Sequence, residues 1–153
     1  MIRRGSAADV PFMRSMLAHA YAWRVNAFEA DIPLTRYVDN WGRPGDVAVI
    51  AHDTGNRVGA AWLRRFKANE PGYGFVDEAT PELSIAVVPS QRSRGLGREL
   101  IEALLDDARE AGYAHVSLSV EQDSPAVGFY EKHGFEIVGE QDGGLVMLKA
   151  LGV

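Results

Sequence analysis

Residues 92–98, Arg-Ser-Arg-Gly-Leu-Gly-Arg, place three guanidinium groups and two glycines directly after an apolar run that ends Val87-Val88-Pro89. Apolar residues then recur at Leu96, Leu100, Leu104 and Ala108, with Ile101 and Leu105 beside them, which is the spacing of one helix face. A strand, a basic glycine turn and a helix in succession can hold a diphosphate. The first N–H groups of a helix have no internal acceptors and carry the positive end of its dipole. Gly95 and Gly97 let a ligand approach the backbone, and Arg92, Arg94 and Arg98 add positive charge. Two readings stay open on this stretch alone: a diphosphate site, and a plain turn with solvated arginines. A dinucleotide fingerprint is disfavoured, because Leu100 stands where its third glycine belongs and the first strand does not lead into the turn. No Gly-Lys-Ser/Thr follows, so this is not a nucleotide-triphosphate loop.

The elements that must position this turn read as follows. Ile2–Arg4 makes a short strand. Ser6, with Asp9 three residues on, starts a helix carrying Val10, Met13, Leu17 and Ala20 on one face. Leu34, Tyr37, Val38 and Trp41 suggest a second, short helix closed by Gly42 and Pro44. Residues 46–53 and 57–67 read as strands joined by a hairpin turn at Thr54-Gly55-Asn56. A long glycine- and proline-rich loop, 68–81, precedes an apolar strand from Glu82 to Val88 that should be covered on both faces. The helix from Leu96 stops at Gly112. His115–Val120 alternates as a strand, Ser124-Pro125 opens a helix that Gly134 ends, and residues 135–140 and 145–151 form a closing hairpin around Gly143-Gly144. The order β-α-α-β-β-β-α-β-α-β-β contains no repeat and no linker, so we expect one α/β domain over residues 1–153, a single sheet with helices on its faces.

Composition excludes several classes. The net charge of −5 argues against general nucleic-acid binding. The chain has no cysteine, which removes disulfides, thiolate zinc sites and a cysteine nucleophile. The four histidines, His19, His52, His115 and His133, show no ligand spacing, and His133 reads as a helix C-terminal residue; no metal is expected. The first residues lack a secretory pattern and no apolar stretch is long enough to span a bilayer, so the expected location is cytoplasmic, without a membrane partner.

Arg92-Ser93-Arg94-Gly95-Leu96-Gly97 matches the Q/R-x-x-G-x-G/A signature of the GNAT superfamily of N-acetyltransferases. Residues 123–139, DSPAVGFYEKHGFEIVG, resemble that superfamily's next segment, N-x-x-A-x-x-x-Y-x-x-x-G-F. The element order agrees over nearly the whole chain. The resemblance implies a mixed, mostly antiparallel sheet flanked by helices, and acetyl-CoA as acyl donor. It implies that the pantetheine arm runs along the fourth strand at the backbones of Ala86, Val87 and Val88. The diphosphate would rest on Arg92, Ser93, Arg94, Gly95, Leu96, Gly97 and Arg98, where the fourth and fifth strands splay apart. Tyr130 falls on the motif tyrosine, which family members use as general acid toward the CoA thiolate. A phenol, with a pKa of about 10, is protonated at neutral pH and can serve a thiolate whose acid has a pKa of about 8.5. Asp123 departs from the motif's asparagine. It could act as a helix-start acceptor beside Ser124.

An amine must lose a proton before it attacks. Glu82 lies where some members of the family carry a glutamate that acts through water, and Ser84 shares its strand face and could hold that water. A backbone N–H near Val88 could polarise the thioester carbonyl. The acceptor pocket should draw on Tyr21, Trp23, Phe28, Trp41, Tyr73 and Phe75, with Glu29, Asp31, Asp77 or Glu78 facing a cationic amine; core packing is the competing reading for the aromatics and solvation for the carboxylates. Arg64, Arg65 and Lys67 read as a strand end facing water, the competing reading being attraction of an acidic acceptor or of the 3′-phosphate of CoA. The function expected is direct acetyl transfer to a primary amine of a small molecule or peptide. The alternatives are a non-catalytic acyl-CoA-binding module and a protein N-acetyltransferase. A homodimer is also in keeping with the family.

Overall fold

The computed structural model describes residues 1–21, 33–92, 94–141 and 143–152. Seven strands form one sheet: β1 (Ile2–Arg4), β2 (Val47–Asp53), β3 (Asn56–Arg64), β4 (Glu82–Val87), β5 (His115–Glu121), β6 (Glu136–Gln141) and β7 (Gly144–Ala150). Their order is β1-β2-β3-β4-β5-β7-β6. Every neighbouring pair is antiparallel except β4 and β5, which run parallel. The sheet is therefore mixed and mostly antiparallel, as the resemblance implies.

Alternation along the strands sorts side chains onto two faces. Helix α1 (Val10–Ala20) buries Met13, Met16 and Leu17 on one face, against Ile50, Ala60 and Trp62. Helix α2 (Leu96–Glu110) buries Leu100, Ile101, Leu104, Leu105 and Ala108 on the other, against Val49, Leu63, Val116 and Met147. Helix α3 (Ala126–Lys132) covers the β5 end of that second face, and Phe135 closes behind it. β4 is covered on both faces, so its run reads as near-continuously apolar. Among the described residues no helix is long and apolar enough to cross a membrane.

Two local readings are corrected. Leu34–Tyr37 forms a single 3-10 turn. The chain then bends through Asn40, Gly42 and Gly45, all at positive φ, which a continuing helix cannot include. Strand β3 ends at Arg64, and Arg64 does not face water. It is 1% exposed, donates to Asp46 at 2.8 and 3.1 Å, and also donates to the carbonyls of Arg36 and Asp39. A guanidinium so fully bonded can be buried without leaving donors unpaired.

Candidate active site

β4 and β5 touch at one register position, Glu82 opposite Ser117, where the Ser117 N–H donates to the Pro81 carbonyl at 3.0 Å. Beyond that contact the strands part. A cleft of about 500 Å³ opens between Ile85, Ala86 and Val87 on one side and Ser119, Val120 and Glu121 on the other. The hydrogen-bond pattern of β4 decides which backbone groups face it. Val88 donates to Val58 at 2.8 Å, and antiparallel pairing alternates, so Ala86 and Val88 direct their backbone groups to β3. The groups of Ile85 and Val87 point toward β5 and the cleft. Of the backbones expected to hold the donor, Val87 faces the cleft, Ala86 lines it, and the Val88 N–H is engaged with Val58.

The basic turn forms the cleft's far wall. Gly95 has φ +79 and precedes the first turn of α2, a conformation that favours glycine. Arg92, Gly95, Leu96 and Gly97 line the cleft, and Arg92 Nε approaches the Val87 carbonyl at 3.4 Å. Arg94 and Arg98 turn elsewhere. Arg94 donates to Gln91 at 2.7 Å and pairs with Asp53 at 3.6 Å, while Arg98 pairs with Glu102 at 3.8 Å. Ser93 lies outside the described residues.

Tyr130 comes from α3 and stands in the same wall, 8% exposed, its ring edge-on to Phe129 and Phe135. Its hydroxyl has no hydrogen-bond partner among the described residues. Burial pushes its pKa well above the ordinary phenol value, so the proton stays on oxygen. Ser124 positions this helix by accepting the Ala126 N–H at 3.1 Å. Asp123, expected beside it as a second acceptor, is exposed and makes no such bond.

Glu82 sits at the apex of the split, 1% exposed. Its Oε2 accepts from the Tyr37 hydroxyl, and its Oε1 accepts the Gly74 N–H at 2.9 Å. Tyr37 in turn accepts the Tyr73 N–H at 2.8 Å. The loop can pass this close because it is glycine there: a Cβ on Gly72 would fall 2.4 Å from Glu82 Oε1, and one on Gly74 would fall 2.6 Å from the Leu118 backbone. Ser84 shares the face with Glu82, but its hydroxyl bonds the Tyr21 hydroxyl at 2.9 Å. Burial first, and the charge of Glu82 second, raise the pKa values of Tyr21 and Tyr37.

Sequence reasoning missed Tyr37 and Ser117. Ser117 Oγ is the one buried side-chain polar atom among the described residues with no partner, and it lies opposite Glu82. It also missed His19, which lines the cleft from α1. Tyr21 and Tyr73 are buried beside Glu82, with rings 6.3 Å apart. Phe75 packs on the α1-side core. Trp41 lies under the Arg64 guanidinium at 5.1 Å. Asp77 accepts N–H groups of its own loop, and Glu78 accepts the Ala68 N–H. Trp23, Phe28, Glu29 and Asp31 lie outside the described residues.

A parallel split in an otherwise antiparallel sheet, with a basic turn at its mouth and a buried tyrosine in its wall, is the frame in which the family comparison falls. Residues 12–135 match the model of the Acetyltransferase (GNAT) family. The chain belongs to this family. By family it is an acetyltransferase. It is 37% identical over 146 residues to the L-methionine sulfoximine/L-methionine sulfone acetyltransferase of Pseudomonas paraeruginosa (strain DSM 24068 / PA7), covering 91% of this chain and 81% of that one. It is 34% identical over 107 residues to the mycothiol acetyltransferase of Corynebacterium aurimucosum, covering 65% of this chain but only 33% of that one, so the match spans about a third of the longer relative. The fold is shared with yncA from Salmonella typhimurium, solved with its cofactor acetyl-CoA, at a TM-score of 0.72 and 21% identity over 100% of this chain and 94% of that one.

Proposed function

We propose that this GNAT acetyltransferase moves an acetyl group directly from acetyl-CoA to a primary amine of a small molecule or peptide. The observation that carries the reading is the single split in the sheet, with Tyr130 in its wall and the Glu82 network at its apex. The cleft suits the donor: its mouth offers the unpaired N–H groups of a helix start and Arg92, and its walls are apolar along Ile85, Val87 and Val120. Acetyl-CoA supplies the activated acyl group as a thioester.

In this reading the backbones of Ile85 and Val87 hold the pantetheine arm in a strand-like manner, and the Val87 N–H takes the carbonyl-polarising role expected near Val88. Arg92, Gly95, Leu96 and Gly97 hold the diphosphate, with Ser93, Arg94 and Arg98 around it. Glu82 receives the amine's proton through a water, for which Ser117 Oγ is a better holder than Ser84, whose hydroxyl is taken. Once the amine nitrogen has bonded to the carbonyl carbon and the carbon–sulfur bond breaks, Tyr130 gives its proton to the sulfur. The phenol is protonated at neutral pH, so the proton is on oxygen when the thiolate leaves. Positioning supplies much of the rate, since no covalent enzyme intermediate is needed.

The seven strands in one sheet support residues 1–153 acting as one domain. The lack of cysteine is compatible with a cytoplasmic setting. A homodimer through edge strand β6 belongs to the same reading, supported by exposed Ile137 and Val138. Relatives named for methionine sulfoximine and for a ribosomal-protein alanine keep both small-molecule and peptide acceptors in play.

Tyr130→Phe tests the reading against a module that only binds acyl-CoA. Turnover should fall about 10²-fold or more while acetyl-CoA affinity, read by calorimetry, is unchanged. Undiminished turnover would remove Tyr130 from the chemistry.

A further inference from the structure

A second cavity, of about 370 Å³, lies at the opposite end of β4 from the diphosphate turn. Four cationic side chains line it: Arg36, Arg43, Arg65 and Lys67. None of the four forms an ion pair among the described residues, whereas Arg64, just behind them, is fully paired with Asp46. Arg36 donates to the Pro71 carbonyl at 2.7 Å and Arg65 to the Pro44 carbonyl at 3.3 Å, both uncharged acceptors.

Three carboxylates share the wall. Asp46 is committed to Arg64 and to the N–H groups of Gly42 and Arg43, and Glu78 accepts the Ala68 N–H. With Asp46 neutralised by Arg64, Glu70 and Glu78 face four cations. A concave site in which cations outnumber the carboxylates left to face them focuses a field that an anion relieves, and guanidinium groups match the planar or tetrahedral oxygens of carboxylate and phosphate.

Position gives the site its meaning. Arg64 pairs with Glu82 across β3 and β4, and Gly59 pairs with Val87 at the far end, so the cavity and the diphosphate turn are separated by about 17 Å of strand. The cavity wall includes Phe66, whose ring meets Tyr37 edge-on at 5.0 Å, and Tyr37 donates to Glu82. One aromatic layer therefore separates the cationic cavity from the proposed base.

We propose that Arg36, Arg43, Arg65 and Lys67 form an oxyanion-binding site that takes a carboxylate or phosphate group, and that this group belongs to the acceptor. The second half of this statement rests on the proposed acetyl transfer beside Glu82; the anion site does not. The acceptor so selected is an amine carrying an anionic group several bonds from its nitrogen.

The test uses the chain without acetyl-CoA, titrated with inorganic phosphate and with glutarate and followed by NMR of the arginine Nε–H groups. Saturable shifts are expected, with affinity at least tenfold weaker in Arg43→Gln/Lys67→Gln, whose side chains are exposed and outside the core. Lys132→Gln/Lys149→Gln, which removes two cations lining a different surface cavity, should leave the affinity unchanged. No saturable shift, equal affinity in the first variant, or equal loss in the second would each overturn the site. With acceptors, the first variant should raise KM at least tenfold for carboxylate-bearing amines relative to their neutral amides, with kcat unchanged. An unchanged ratio alongside lost probe binding would assign the site to a free anion and overturn the acceptor half. Absent turnover in the unmodified protein would count against the acetyl-transfer reading and leave the probe titration standing.

Discussion

Glu82 accepts from the Tyr37 hydroxyl and the Gly74 N–H inside a shell of tyrosines, and its strand neighbour across the split is a serine with an unused hydroxyl among the described residues. A carboxylate in that setting can take a proton only through a small mediator. Glu82→Gln is therefore expected to lower kcat about 10²-fold while leaving acetyl-CoA affinity intact, because Glu82 is not part of the cleft wall. A stopped-flow comparison of the two proteins checks this; equal rates would take Glu82 out of the proton path. Tyr130 was singled out because it falls on the motif tyrosine, and Glu82 because it begins the fourth strand, where some members of the family carry a glutamate. Tyr37 and Ser117 were not, since their parts depend on contacts 45 and 35 residues away from themselves along the chain, to Glu82. No local pattern encodes such contacts.

At the scale of elements, the basic turn and α2 follow directly from Gly95, whose left-handed φ the sequence signals by glycine, and from the Leu100-Leu104-Ala108 stripe, which is buried as spaced. The short helix expected near Leu34 failed for an equally local reason: Asn40 and Gly42, at positive φ, stop it after one 3-10 turn. Arg64 was misread because its partners, Asp46 and two carbonyls, come from that same irregular segment. The start of α1 is fixed by Asp9, fully buried, which accepts from Arg3 of β1 at 2.6 and 2.9 Å, from Arg57 of β3 at 2.8 Å and from the Ser6 N–H at 2.8 Å. The Arg3 hydrogen bond is the largest influence holding the Asp9 carboxyl well below the usual carboxylate range. A depressed pKa stabilises the fold above the unfolded value of about 3.9, and that contribution is lost as pH falls below it. Asp9→Asn is expected to cost roughly 2–3 kcal/mol at pH 7 and progressively less as the pH is lowered below about 4, read from urea midpoints. A cost that did not shrink with acid would contradict the charged clamp.

The described strands form one mostly antiparallel sheet with a single parallel pair, and buried phenols gather around that pair. Tyr21, Tyr37 and Tyr130 all have raised pKa values, through burial first. Above pH 10 or so the unfolded chain releases these protons while the folded chain keeps them, so stability is fully present below that pH and falls as pH rises further. Tyr21→Phe should flatten the alkaline slope by about 1.4 kcal/mol per pH unit, measured by denaturant unfolding at stepped pH. An unaltered slope would mean that Tyr21 is not held neutral by the fold. The order of elements along the chain was legible from the alternation of strand and helix signals. The place where β4 and β5 part was not, because β4 reads as an ordinary apolar strand and β5 as an ordinary alternating one, and only the family resemblance pointed to a splay.

The central claim, transfer of an acetyl group from acetyl-CoA to an amine, is tested most directly by free-thiol release. The chain contains no cysteine, so with thiol-free acceptors every thiol detected comes from CoA. Purified protein with acetyl-CoA and a panel of amines, amino acids and peptides should show release that depends on the acceptor and is lost in Tyr130→Phe. Saturable acetyl-CoA binding with no acceptor-dependent release from any member of the panel would contradict the account.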